Sequence, residues 1–396
     1  MNLAFGEEYE AFRQEVRSFL SAHADTAPRG TRRRGRPSTE EVAWQQRLIE
    51  HGYAAREVPA EYGGYGAEPD ILRNIIIEDE FAAAGVLPGH SGDNRLVPTV
   101  LELGTEEQKH RYVTPSVRGE MMWCQGYSEP GSGSDLASLS TKAVLEGDEW
   151  VINGQKIWTS GAQHADQIFC LVRTEPDAPK HQGISYLIFS MDTPGIEVRP
   201  LVTMTGEAVF NEVFFTDVRV PKDQIVGKRG EGWFVANTTL RYERNGLGDP
   251  VEAERRLRRI IELMQQETLD GGRLMDNPAY RQRLLQLQGQ VLAMKTNGMR
   301  ILTAALRDEE AGMPRWIQKL QGCELNHQLA GFAIDLMGEL GVLYDDSPYL
   351  RDDGQWQARY MIDLGLIIGG GTAQIQKNMI GERALGLPKE PKVAES

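Results

Sequence analysis

The sequence predicts an α+β protein that is built in the order helices, a small antiparallel β domain, and helices again. Three observations support this order. Apolar residues recur at helical spacing early in the chain, short apolar runs between turn residues follow from about residue 122, and helical spacing returns after residue 232. A chain of 396 residues can bury a large core, so we expect several domains, at residues 1–121, 122–232 and 233–396.

The first third is predicted to be all-α. An amphipathic opening helix is predicted from apolar residues at helical spacing, which are Phe5, Tyr9, Phe12, Val16, Phe19 and Leu20. Ser38 and Glu41 fit a capping box, which predicts that a second helix begins there. Further helical patterns cover residues 69–86 and 105–117.

The middle segment reads as β structure because its apolar runs are short. The predicted strands are residues 141–145, 150–152, 167–172, 185–189 and 213–215. Gly147-Asp148 and Asn153-Gly154 are predicted hairpin turns, since both dipeptides accept positive φ. The helical segments after the β domain are predicted near residues 251–268, 278–309, 315–340 and 373–383.

Charge and composition exclude several classes of protein. A net charge of −14 and a pI near 5.1 disfavour binding to nucleic acid, because negative surfaces repel phosphate backbones. The basic run Arg29 to Arg36 lies between two helical patterns and is interpreted as a solvated loop. An acidic N-terminus and the lack of a stretch of transmembrane length predict a cytoplasmic protein that does not bind membranes.

Cysteine and histidine patterns predict neither disulfides nor a metal site. Cys124, Cys170 and Cys323 are odd in number, far apart and without CxxC spacing. The seven histidines are scattered, and no HExxH pair is present.

One segment, Gln125 to Asp135 (QGYSEPGSGSD), combines small residues, hydroxyls and bare backbone. These groups suit close approach to a polyanionic or heteroaromatic cofactor. Its Gly131-x-Gly133 is not a dinucleotide fingerprint, because Leu136 stands where the third glycine belongs and no βαβ pattern surrounds it.

Several motifs together resemble the acyl-CoA dehydrogenase family. The middle domain is matched by YSEPGSGSDLASLSTKAV and by GDEWVINGQKIWTSGA, and the C-terminal signature by GGGTAQIQKNMIGERALGLP. PAEYGGYG, GTEEQKHRYV and FNEVFFTDVRVP extend the likeness over nearly the whole chain. The resemblance implies a helical N-terminal domain, an antiparallel β middle domain and a C-terminal four-helix bundle. It also implies FAD, held between the last two domains and across a subunit interface.

The resemblance assigns roles to residues. Those implied to line the flavin and the pyrophosphate are Gln125, Tyr127, Ser128, Gly133 and Ser134, with Trp158, Thr159 and Ser160 beside the isoalloxazine ring. Thr372 and Gln374 are implied to contact the FAD of the same or the neighbouring subunit. Hydroxyl groups can hydrogen-bond the heteroatoms of a flavin, and an indole can pack on its ring system. The alternative for Trp158 is an ordinary aromatic residue in the core of the β domain.

Two departures from the family pattern concern the shared FAD site. An Arg-x-x-Phe-Gly sequence of many members is replaced by GGRLMDNPAYRQRL, where Arg273 is the candidate substitute and Gln282 matches a downstream glutamine. A Gln-x-x-Gly-Gly stretch is replaced by Asp335 to Glu339 (DLMGE). Acidic residues near a pyrophosphate are unfavourable unless they are screened or turned away.

A third departure concerns the catalytic base. Many members carry a glutamate directly before the Gly-Thr of the C-terminal motif, but Gly370 stands there. Isovaleryl- and long-chain-type enzymes supply the base from the helix after the β domain, and Leu240 to Arg244 matches that position, so Glu243 is the predicted base. The alternative is a solvated or ion-paired glutamate. The predicted substrate contacts are Ser134, Tyr242, Arg244 and the backbone N–H of Gly370.

The resemblance therefore implies α,β-dehydrogenation of an acyl-CoA in fatty acid metabolism and lipid degradation, with electrons passed to an electron-transfer flavoprotein. We expect a homotetramer or homodimer. One alternative is a subunit of a hetero-oligomer with a shared FAD site, favoured by Asp335, Glu339 and the missing Arg-Phe-Gly sequence. The other is an acyl-CoA oxidase or flavin monooxygenase on the same fold.

Overall fold

The computed structural model describes residues 6–30, 35–90, 92–243, 247–269, 271–344 and 347–389. Phe5, residues 31–34 of the basic run and the predicted substrate contact Arg244 lie outside the described residues. The chain divides into two compact units, Met1–Tyr242 and Glu243–Ser396. The units are described in turn.

The first unit opens with helices, as predicted. They are α1 (Glu7–Ala22), α2 (Thr39–Glu50), α3 (Ile71–Ala84), α4 (Leu96–Leu103), α5 (Glu106–Gln108) and α6 (Thr114–Val117), with a π-helical turn over Lys109–Val113. The capping box at the start of α2 is confirmed: Ser38 Oγ accepts from the Glu41 N–H at 3.2 Å, and the Glu41 carboxylate accepts from the Ser38 N–H at 2.8 Å. The inward face of α1 buries Phe12, Val16 and Phe19.

The sheet of the first unit is mostly antiparallel. Its strands are β1 (Trp123–Gly126), β2 (Lys142–Glu146), β3 (Glu149–Lys156), β4 (Gln167–Arg173), β5 (Ile184–Ser190), β6 (Ile196–Leu201), β7 (Phe210–Pro221) and β8 (Ile225–Val226). The order is β6-β7-β3-β2-β4-β5-β8, and β1 and β2 each pair with β4 in parallel. β4 and β5 are almost fully buried, whereas β6, which the apolar runs did not predict, is largely accessible.

One predicted turn is confirmed and the other is wrong. Gly147-Asp148 joins β2 to β3, with Glu146 opposite Glu149. Asn153-Gly154 lies inside β3, where the pairing with β7 shifts register. Gly154 has φ +150°, and a Cβ there would meet Thr141 Oγ1 at 2.6 Å. The glycine therefore makes a bulge in a continuous strand, because β7 continues as a partner on both sides of it.

Helix α7 (Gly232–Glu243) reaches the boundary between the units. The second unit contains α8 (Pro250–Gln266), α9 (Pro278–Leu306), α10 (Met313–Met337), α11 (Gln355–Ile368) and α12 (Ala373–Met379), with a small ribbon of β9 (Thr268–Leu269) and β10 (Gly272–Arg273). Helix α10 packs against α8, α9 and α11, and Leu329, Phe332 and Trp356 lie in their common core. Helix α11 was not predicted, because its apolar pattern is short and contains Gly365, with further glycines at both ends, Gly354 and Gly369.

Within the described residues, no helix is long and apolar enough to cross a membrane. In the same residues no group of three or more His, Cys, Asp or Glu side chains could hold a metal ion. The three cysteines are buried and unpaired by disulfides.

Candidate active site

The glycine- and serine-rich segment follows β1 in the first unit. Tyr127 is buried and packs edge-on against Phe169 and Tyr186, so the segment is anchored where it leaves the sheet. Gly133 and Ser134 are exposed, and a Cβ at Gly133 would meet nothing within 4 Å. The segment therefore presents bare backbone on the surface of a rigid sheet, as a cofactor-binding loop requires.

A buried ion pair ties this segment to the end of β3. Lys156 Nζ donates to Glu129 Oε1 at 2.8 Å and to the Tyr127 carbonyl at 3.2 Å, and the two side chains are 0% and 5% exposed. Glu129 also accepts from the backbone N–H groups of Ser140 and Thr141 at 2.7 and 2.9 Å. Burial raises the pKa of Glu129, but the Lys156 charge and these donors outweigh it and lower that pKa to about 2.

Trp158 follows directly and is not a core residue. The Ile157 N–H donates to the Ser128 carbonyl at 2.9 Å, which brings the two segments predicted to face the flavin side by side. Trp158 has φ +60° and is 57% exposed, with its ring edge-on to Phe210 at 5.8 Å between centroids. An exposed indole on a strained backbone is typical of a functional position, because its ring contact with Phe210 leaves most of the indole in solvent.

The surroundings of Thr159 show whether this segment fits a flavin. Its backbone is held by Asn211, which accepts from the Thr159 N–H at 3.1 Å and donates to the Thr159 carbonyl at 2.9 Å. Its hydroxyl is buried and has no hydrogen-bond partner among the described residues. A buried hydroxyl without a partner costs about 1–3 kcal/mol, which a heteroatom of a bound ring would offset. With Trp158 and the exposed Ser160 beside it, this segment fits the group that the family binds.

Gln125 is already engaged within the first unit. Its side-chain oxygen accepts from Arg95 at 2.8 Å, and Arg95 is in turn held by Asp93 at 2.7 Å. The amide orientation of Gln125 is thereby fixed, and its NH₂ group remains the end that a ligand can contact.

In the second unit the glycine turn after α11 carries Gly370. Gly370 and Gly371 have φ +64° and +94°, values that favour glycine. A Cβ at Gly370 would overlap Leu247 Cδ1, so the space where a longer side chain would begin is filled. A side chain at position 370 would therefore have to displace Leu247. Thr372 caps α12 by accepting from the Ile375 N–H at 3.2 Å.

Glu243 is the last residue of α7. Its Oε2 is buried and has no hydrogen-bond partner in the part of the chain that the structure describes, so nothing there neutralises that oxygen. Tyr242, a predicted substrate contact, donates its hydroxyl to Glu102 at 2.9 Å, and Arg241 donates to the same carboxylate at 2.6 Å.

The predicted contacts to a shared FAD lie on accessible surface of the second unit. Gln282 and Gln374 are exposed, and Arg273 forms an exposed ion pair with Asp276 at 3.0 Å. Asp335 forms an exposed ion pair with Arg283 at 2.5 Å, which offsets part of its charge. The repulsion expected between Asp335 and a pyrophosphate is therefore reduced, while Glu339 stays exposed.

Comparison with known proteins identifies the class. Models of the acyl-CoA dehydrogenase N-terminal, middle and C-terminal domains match residues 6–120, 124–218 and 230–385. The chain therefore belongs to the acyl-CoA dehydrogenase family, whose members are FAD-containing oxidoreductases of lipid metabolism. The predicted family, fold class and cofactor are confirmed.

Individual relatives cover the whole chain. It is 37% identical to acyl-CoA dehydrogenase IpdE1 of Mycobacterium tuberculosis, over 98% of this chain and 100% of that protein. The solved Tcur3481-Tcur3483 steroid ACAD has a TM-score of 0.82 and 30% identity over 98% of this chain and 100% of that one. The ChsE4-ChsE5 complex from Mycobacterium tuberculosis has a TM-score of 0.81, with the same identity and coverage.

Proposed function

We propose that the protein oxidises an acyl-CoA thioester to the trans-2-enoyl-CoA with Glu243 as the base, and passes the electrons to an electron-transfer flavoprotein. The observation that carries this proposal is the buried carboxylate oxygen of Glu243, which has no hydrogen-bond partner among the described residues. It occurs in a chain where the family's usual position for the base is Gly370, packed against Leu247. We expect the enzyme in the cytoplasm.

The chemistry divides among a few groups. The α proton of a thioester is weakly acidic, so its removal needs a positioned base and stabilisation of the negative charge that develops on the carbonyl oxygen. Glu243 accepts the proton, and the backbone N–H of Gly370 donates to the carbonyl oxygen. Bound FAD supplies the hydride acceptor for the β carbon. Trp158, Thr159 and Ser160 orient the ring, and Gln125, Tyr127, Ser128, Gly133 and Ser134 hold the remainder of the cofactor.

The substrate class is proposed from the similar solved structures. One of them is described as a steroid ACAD, so acyl groups attached to fused rings are the first substrates to compare with straight and branched chains. Two of them contain two named components, which supports the alternative of a hetero-oligomer. The ion pair of Asp335 with Arg283 favours an FAD site that this chain can complete with its own copies.

A stripe on α9 supports association with another subunit. Leu285, Leu292, Met299 and Leu306 are all exposed, at intervals of seven residues along one face. This 29-residue helix contains no acidic residue, although most solvent-facing helices carry both signs of charge. A seven-residue apolar repeat is the pattern by which one helix packs along another.

The experiment is anaerobic reduction of bound FAD by a panel of acyl-CoA esters, compared between the parent, Glu243→Gln and Glu262→Gln. Glu243→Gln keeps the shape and removes the basicity, so reduction slows by about a hundred- to ten-thousand-fold while substrate still binds. Glu262, an exposed glutamate on α8, is the matched control and leaves the rate unchanged. Reduction by Glu243→Gln at the parental rate would show that another carboxylate is the base.

Two further measurements separate the alternatives. Protein expressed alone is expected to be yellow and oligomeric, whereas a colourless monomer would favour a hetero-oligomer that shares its FAD site. Rapid reoxidation of the reduced protein by oxygen, with no gain from an electron-transfer flavoprotein, would identify an oxidase or a monooxygenase.

A further inference from the structure

Lys319 is a buried cation in the core of the second unit. It lies on α10, is 5% exposed, and donates from Nζ to the carbonyls of Ile367 and Gly371 at 2.9 and 2.6 Å. Among the described residues no carboxylate lies within ion-pair distance of it. Burying an ammonium group costs free energy unless the group is hydrogen-bonded, and the two carbonyls supply those hydrogen bonds here. Burial lowers the pKa of Lys319.

The two carbonyls stand on either side of the glycine turn. Ile367 is in the last turn of α11, and Gly371 directly precedes Thr372, which caps α12. Gly369, Gly370 and Gly371 have no side chains to restrain their backbone, so this turn has more conformational freedom than a turn built from residues with a Cβ atom. One ammonium therefore binds the carbonyls on both sides of this flexible turn.

A second side chain, that of Gln376, binds the middle of the turn. Gln376 is buried and donates from Nε2 to the Gly370 carbonyl at 3.1 Å. The backbone also contributes, because the Gly369 N–H donates to the Gly365 carbonyl at 2.7 Å. The carbonyls of Gly370 and Gly371 are thus both occupied. Within the described residues, none of the hydrogen bonds uses the Gly370 N–H. The clamp leaves that donor available while fixing the peptides around it.

We propose that Lys319 is a positioning residue, which aims the Gly370 N–H at the thioester carbonyl by clamping the Gly369–Gly371 turn. This inference rests on the proposed function, because it assigns the Gly370 N–H a ligand. Lys319 touches no substrate atom and acts only through the turn. A hydrogen-bond donor that is held in place before the reaction stabilises the negative charge on the carbonyl oxygen in the transition state. This stabilisation is lost when the donor moves, and a misplacement of about 1 Å can cost about a hundredfold in rate.

The test uses FAD-loaded Lys319→Met, which keeps the side-chain stem and removes the ammonium, with Lys295→Met as control. Lys295 forms a partly exposed ion pair with Glu254 at 2.9 Å in the same unit. We expect reduction of FAD by an acyl-CoA to slow about a hundredfold in Lys319→Met and to stay within twofold of the parent in Lys295→Met.

A binding comparison separates positioning from a merely structural role. A 3-thiaacyl-CoA keeps the thioester carbonyl but cannot lose hydride from its β position, and an alkyl-CoA thioether lacks the carbonyl altogether. Lys319→Met should bind the 3-thiaacyl-CoA at least tenfold more weakly and the thioether with parental affinity. Equal weakening of both ligands, or parental binding of both, would overturn the proposal.

A second variant covers the case in which Lys319→Met does not fold. Gln376→Met removes the other hold on the turn without leaving a buried charge, and it should show the same selective loss for the thioester ligand. Parental behaviour of Gln376→Met together with an unfolded Lys319→Met would contradict positioning. If the parent itself fails to reduce FAD with every acyl-CoA, the proposed function is wrong, and the comparison of the two ligands still tests Lys319.

Discussion

Glu129→Gln is expected to destabilise the first unit strongly, because it leaves the ammonium of Lys156 buried without a counter-charge. Both side chains are almost fully buried, and their 2.8 Å contact joins the segment after β1 to the end of β3. The substitution preserves the size of the side chain but keeps only one oxygen, whereas Glu129 accepts from the Ser140 N–H at Oε2 and from the Thr141 N–H at Oε1. Its effect therefore reports the loss of the negative charge together with one hydrogen-bond acceptor.

Two independent estimates agree on the magnitude. The pKa of Glu129 falls from an ordinary 4.5 to about 2 in the folded protein. At about 1.4 kcal/mol for each pKa unit, this difference corresponds to about 3 kcal/mol. Removing one partner of a buried ion pair typically costs about 3–5 kcal/mol.

The pH dependence has a definite sign. A carboxyl whose pKa is depressed in the folded state contributes its full stability above the unfolded pKa, and loses it as the pH falls through the folded value. The contribution of Glu129 is therefore complete above about pH 5 and is lost between pH 4.5 and 2. The stability difference between parent and Glu129→Gln should shrink across this range.

The assay is urea unfolding of the FAD-loaded protein at pH 7 and pH 3, followed by tryptophan fluorescence and flavin release. Asp135→Asn is the control, since Asp135 lies in the same segment and forms an exposed ion pair with Lys180 at 2.8 Å. Such surface pairs contribute about 1 kcal/mol or less. If Glu129→Gln unfolds at the same urea concentration as Asp135→Asn, or if its deficit is the same at both pH values, the reasoning about the buried charge is wrong.

Three further predictions address the flavin segment, the glycine turn and the apolar stripe. Trp158→Ala should weaken FAD retention or slow electron transfer while leaving the thermal midpoint nearly unchanged, because the indole is exposed; normal flavin affinity and turnover would contradict this. Gly370→Ala should destabilise the protein by about 1–2 kcal/mol in chemical unfolding, since its φ is +64° and the new Cβ would displace Leu247; an unchanged midpoint would refute it. Leu292→Glu should shift the protein to a smaller species in light scattering, whereas Gln290→Glu, off the stripe on the same helix, should not.

Much of the fold could be predicted because its signals are local. The order of helices, strands and helices follows from the spacing of apolar residues, and the capping box at Ser38 and the hairpin at Gly147-Asp148 depend only on residues close in the chain. The motifs that identify the family and its cofactor are likewise short runs. Glu243 was found by its place in such a run, although its role is still a prediction.

Other features depend on partners that are distant in the chain. Asn153-Gly154 has the sequence of a hairpin turn, but β7 pairs with both sides of it and makes it a bulge. Glu129 binds Lys156, 27 residues away in the sequence, and Lys319 binds Gly371, 52 residues away. The spacing of apolar residues carries no information about contacts between residues so far apart. Lys319 shares the buried face of α10 with Cys323 and Asn326, at helical spacing that could have signalled its burial but not its partners. Hydrogen-bond partners of a buried charge are set by which backbone groups the folded chain leaves unsatisfied beside it, and only the tertiary structure determines those.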